Sequence, residues 1–111
     1  MKNKYKSCGL NYDLILEKYP NIDEYEQIVN VYLDDGFFNE IEIMLEQEDY
    51  ELARDAIKGL YILASDLLLY PLYEKLLDLY EDFEYETYND LTMHYQQMKE
   101  VHKKIRGVFH V

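Results

Sequence analysis

A chain of 111 residues that is 49% hydrophobic, with four glycines and two prolines, is long enough for one hydrophobic core and poor in material for a loop-rich or all-β design. Eleven Lys plus Arg against 23 Asp plus Glu give a net charge of −12, which repels nucleic acid and anionic membrane as direct partners and favours basic protein surfaces. The single cysteine, Cys8, has no internal disulfide partner, and its Lys-rich setting suggests an exposed thiol in a reducing compartment, the cytoplasm.

Residues 1–10 read as a polar, flexible leader, with lysines but without the apolar run that a secretory signal needs. Asn11 caps a short helix carrying Leu14, Ile15 and Tyr19, which Pro20 stops. From about Ile22 to Glu48 the spacing of Tyr25, Ile28, Val29, Tyr32 and Ile43 predicts one long helix. A kink is expected at Asp34-Asp35-Gly36, because interior glycine costs ~1 kcal/mol relative to alanine and the apolar stripe rotates there to Phe37, Ile41, Met44 and Leu45. Two separate helices are the alternative.

Asp49 caps the next helix, expected to end near Leu63 or Ala64, with Ala53, Ala56, Ile57, Leu60 and Ala64 on one face. A further helix starts near Leu69 with Pro71 in its first turn. It carries two adjacent stripes, Leu69, Leu72, Leu76, Leu79 and Phe83 beside Tyr70, Tyr73, Leu77 and Tyr80, wide enough to face two neighbouring helices. The last helix, from about Tyr85 to Arg106, keeps the spacing through Leu91, Tyr95, Met98, His102 and Ile105 and stops at Gly107. The most apolar stretch, Gly59 to Tyr73, is interrupted by Ser65, Asp66 and Pro71 and is shorter than the ~20 residues a membrane span needs. Residues 11–106 therefore form one antiparallel helical bundle, and 107–111 a tail.

Arg54-Asp55-Ala56-Ile57-Lys58-Gly59 is the stretch whose residue types stand in an order that chemistry could use. Asp55 points away from the buried face, with Lys58 and Gly59 at i+3 and i+4 and Ile62 on the same outward face. Lys58 or Arg54 can pair with Asp55 there, as a solvated helix face or as a docking surface. His94 and His102 stand at i, i+8, not the i, i+4 of helical metal ligands, so no metal is expected. His102 lies on the apolar seam and reads as a packed or dipole-stabilising histidine. The acid-rich segments Glu40 to Glu51 and Asp78 to Glu86 read as solvated faces. With no constellation of nucleophile, base and stabiliser, neither an enzyme nor a cofactor is expected.

The order Asp55-Ala56-Ile57-Lys58-Gly59, then Leu63-Ala64-Ser65, Leu69 and Leu72, resembles the histidine phosphotransfer (HPt) domain, whose third core helix carries His-x-Leu-Lys-[Gly/Ser] followed by a small residue and spaced leucines. Tyr12-Asp13, and Tyr25 through Tyr32 to Asp35-Gly36, are similar to the family upstream. The resemblance implies an all-α, antiparallel four-helix bundle with a short additional N-terminal helix. Asp55 holds the place of the phospho-accepting histidine, and His94, His102 and His110 all lie in or after the last helix. What it implies for function is a monomeric pseudo-phosphotransfer domain of a two-component phosphorelay. Such a domain binds a receiver domain or a histidine kinase through Arg54, Lys58, Gly59 and Ile62. Charge alone suggests another function, an acidic helical decoy that imitates nucleic acid and inhibits a DNA-binding protein.

Overall fold

Side-chain oxygens start most of the helices. In the computed structural model, which describes residues 2–109, Asn11 accepts from the Leu14 amide at the start of α2 (Tyr12–Lys18), and Asn21 accepts from Glu24 at α3 (Ile22–Tyr32). Asp34 accepts from Gly36 at α4 (Asp35–Glu46), and Asp49 from Leu52 at α5 (Tyr50–Asp66). No side chain caps α6 (Tyr70–Glu84); Pro71 sits in its first turn, where a missing N–H costs nothing. A 3-10 turn at Tyr88–Asp90 leads into α7 (Leu91–Phe109). Before all of these stands α1 (Lys2–Ser7). The described residues contain helices and no strand.

Several boundaries differ from the sequence expectation, each for a local reason. The long helix with a kink is two helices. Leu33 closes α3, and the Asp34 carboxylate takes the Gly36 amide at 2.8 Å, opening a new helix. A Cβ at position 36 would come within 3.0 Å of that oxygen, so Gly36 belongs to a first turn and not to a bend. The last helix starts at Leu91 because Tyr85 closes α6 and Glu86 turns the chain into the left-handed region at φ 55°. It also runs past Gly107 to Phe109, whose ring is buried. At the other boundary α5 continues two residues beyond the expected end, to Asp66.

The turns after α1, α4, α5 and α6 share one geometry. Gly9, Glu48, Leu68 and Glu86 have φ of 79°, 55°, 59° and 55°, and each next amide reaches back to the helix. The bonds run from Leu10 to the Tyr5 carbonyl (2.9 Å), Asp49 to Met44 (2.9 Å), Leu69 to Ala64 (2.8 Å) and Thr87 to Asp82 (2.9 Å). These are Schellman ends, which satisfy carbonyls that a helix terminus otherwise leaves open. Three of the four place a side-chain-bearing residue where glycine is favoured. The repeated turn sets α4 against α5, α5 against α6 and α6 against α7.

Helix α4 also approaches α7, through the Phe38 and His102 rings with centroids 3.9 Å apart. The interior is built from Ile57 of α5, Leu72, Leu76 and Leu79 of α6, and Met98 and Ile105 of α7, all fully buried. Helix α3 packs on α7, and two tyrosine hydroxyls tie it to α5 and its C-terminal cap: Tyr25 donates to the Leu67 carbonyl at 2.6 Å and Tyr32 to the Leu60 carbonyl at 2.5 Å. Burial raises both phenols above their ordinary pKa, so they remain donors through neutral pH.

Residues 2–10 are not the expected flexible leader. Tyr5 is fully buried, stacks on Tyr12 at 4.9 Å, lies 5.3 Å from the Phe109 ring and donates its hydroxyl to Glu26. Lys4 adds an ion pair to the same carboxylate at 2.9 Å. Cys8 is buried as well, contrary to the expected exposed thiol, and burial pushes its pKa up, away from thiolate chemistry. His110 lies outside the described residues. No helix among them is long and apolar enough to cross a membrane.

Candidate docking face on α5

Helix α5 buries Ala53, Ile57, Leu60 and Ala64 at spacings of four and three, which turns Asp55, Lys58, Gly59 and Ile62 outward. Asp55 and Lys58 are exposed, and Arg54 is half-buried. Asp55 lies 3.6 Å from the Arg54 guanidinium, and Lys58 takes no part in the pair. With both partners well solvated, such a contact contributes ~0–1 kcal/mol. It holds little of the fold together, which leaves Arg54 and Lys58 available to an outside group.

Gly59 stands in the interior of this helix, where glycine costs ~1 kcal/mol relative to alanine. No packing within the chain requires it, since a Cβ built at this position meets nothing within 4 Å. The bare backbone instead opens on a groove of about 240 Å³ between α4 and α5, lined by Phe37, Glu40, Met44, Ala56, Gly59 and Leu60. Phe37 is 55% exposed, and Ile62 and Leu63, at i+3 and i+4 from Gly59, are 46% and 49% exposed. Single exposed apolar residues are ordinary, but here they flank one helix face that also carries a free lysine. Phe37 was missed by sequence reasoning because it reaches the face from a different helix.

A second constellation was also missed. Asp82, 3% exposed, accepts from the Thr87 hydroxyl at 2.8 Å and from His94 Nδ1 at 2.5 Å, while the Thr87 amide bonds the Asp82 carbonyl. The carboxylate thus pins the end of α6 to the turn and to the first part of α7. The sequence expectation puts Asp82 on a solvated acidic face. The signal against that reading was its place between Leu79 and Phe83, on the buried stripe of α6. An aspartate orienting a histidine can support proton transfer, yet among the described residues no hydroxyl or thiol meets the other ring nitrogen. The arrangement reads as a structural clasp.

His102 is packed, as expected from its place on the seam. It is 6% exposed, contacts Phe38 and donates from Nε2 to the Leu33 carbonyl at 2.9 Å. Burial lowers its pKa below 6.5 and outweighs the opposing pull of the Leu33 carbonyl and Asp35; Arg106 lowers it further. The unfolded chain therefore binds this proton more readily than the folded one. Stability contributed by neutral His102 is complete above pH ~6.5 and is lost as pH falls toward the folded-state pKa. Urea midpoints measured from pH 7.5 to 5 should decline more steeply for the wild type than for His102→Gln.

No group of three or more His, Cys, Asp or Glu among the described residues is arranged to hold a metal ion. No family model matches the chain, and no curated protein and no solved structure matches it.

Proposed function

We propose that the chain is an HPt-like interaction module of a two-component phosphorelay, acting in the cytoplasm as a monomer that docks a receiver domain or histidine kinase without carrying phosphate on histidine. In this reading α4 to α7 are the four antiparallel helices, which puts the Asp55 stretch on the second of them where the family pattern has it on the third, and α3 packs on α7. The outward face of α5 is the docking face, and the protein is a binding partner, not an enzyme.

Gly59 carries this reading: it is a helix-interior glycine with open space around its missing side chain, beside an apolar groove and an unpaired Lys58. A partner backbone approaching α5 closely explains a glycine that the chain's own packing does not. Lys58 and Arg54 supply cations for an acidic partner site. At the acceptor position, Asp55 offers no nucleophilic ring nitrogen, and its negative charge repels an incoming phosphoryl group.

The test is incubation with phosphorylated receiver domains, following binding and phosphoryl transfer side by side. Binding without transfer is expected for the wild type, and Asp55→His, at a solvated position that tolerates the change, should gain transfer. Absence of both binding and gained transfer across several receivers would overturn the reading.

A further inference from the structure

We propose that the groove between α4 and α7 is a binding site for a small organic anion, its charged end among Lys99, Lys103 and Arg106 and its apolar body against the exposed edges of Phe38 and Tyr95. The groove encloses about 410 Å³, within the ~300–1,000 Å³ of small-molecule sites. Phe38 and Tyr95, each mostly buried, keep ring edges at the groove that give it an apolar wall.

Charge sets the ligand class. The chain has more than twice as many acids as bases, yet three cations line this groove against two carboxylates, Asp35 and Glu100. Lys99, Lys103 and Arg106 follow one another at i, i+4 and i+7, which places them along one face of α7. Their charge is only loosely engaged. Lys99 lies 3.7 Å from Glu42 and Arg106 lies 3.4 Å from Asp35, both long beside the ~2.7–2.9 Å of a charge-assisted hydrogen bond. Lys103 has neither an ion pair nor a hydrogen bond among the described residues, and Arg106 Nε is buried without an acceptor. With Asp35 and Glu100 beside the three cations, the lining favours a small anion over a polyanion.

The site is separate from the groove at Gly59, which α4 lines with Phe37 on its other side. Its test therefore stands apart from that of the docking face. The full chain is titrated with phenyl phosphate, inorganic phosphate and phenol while backbone amide shifts are recorded. Phenyl phosphate should give saturable shifts confined to residues 35–39 and 95–106, half-complete near ~1 mM. Inorganic phosphate should bind at least ~5-fold more weakly, phenol should leave these amides unmoved, and Lys103→Gln, which removes an exposed and unpaired side chain, should weaken phenyl phosphate ~5–10-fold. The proposal is overturned by the absence of saturation at ~20 mM, by equal shifts around Lys2 and Lys6, or by an unchanged affinity in Lys103→Gln.

Discussion

His94→Ala should destabilise the protein by ~3 kcal/mol, a large part of the ~5–15 kcal/mol that holds a domain folded. The Asp82 side chain is only 4% exposed, and the imidazole supplies the donor to one of its two oxygens. Without it the carboxylate, itself mostly buried, keeps Thr87 as its remaining side-chain donor and loses the shorter of its two side-chain hydrogen bonds. Asp82→Asn should cost less, ~1 kcal/mol, since a neutral amide needs less compensation than a charge. The double variant should be more stable than the sum of the single losses predicts, as expected for two groups in contact. Urea unfolding of the three variants measures this. A loss below ~0.5 kcal/mol for His94→Ala would mean that the pair behaves like a surface contact.

Tyr5→Ala should cost ~3–5 kcal/mol, the range for removing a fully buried aromatic ring. The ring fills space between Tyr12 and Phe109, joining the two ends of the chain, and its hydroxyl meets Glu26 on α3. Tyr5→Phe separates the two contributions. It keeps the ring and should cost ~1–2 kcal/mol, because Glu26 retains Lys4. Both changes would be silent in urea unfolding if residues 2–8 were a mobile leader.

These two positions show what the sequence could and could not convey. Helices α5, α6 and α7 were legible because each carries two or more turns of apolar residues at spacings of three and four, and α2 because the Asn11 cap and Pro20 bracket it; the buried face of α5 was legible nearly residue by residue. Ala56 is the exception: it is half-buried, in the wall of the groove. Helix α1 was hidden because six residues are less than two turns, and the groups that bury Tyr5 lie 21 and about a hundred positions away, at Glu26 and Phe109. The break between α3 and α4 was visible as a weak point, but the apolar spacing ran on through it, and the cap formed by Asp34 outweighed continuity.

The candidate site divides in the same way. The outward direction of Asp55, Lys58, Gly59 and Ile62 follows from helix geometry alone and is what the fold displays. The groove beside them does not follow from it, since Phe37, Glu40 and Met44 come from α4, and the rotation of one helix on its neighbour is set by packing. The Asp82 clasp depends on a turn whose left-handed residue is Glu86, a position where sequence offers no glycine to mark it.

The most direct test of the docking face is Gly59→Gln, measured for stability and for receiver binding in the same preparation. The open space at this position means that a side chain is accommodated within the fold, and relief of the glycine cost should raise stability by ~0.5–1 kcal/mol. On a receiver that binds the wild type, the same change should weaken binding at least ~10-fold, because the added side chain occupies the approach to α5. Higher stability with lost binding is the predicted result; higher stability with binding unchanged would contradict the assignment of this face.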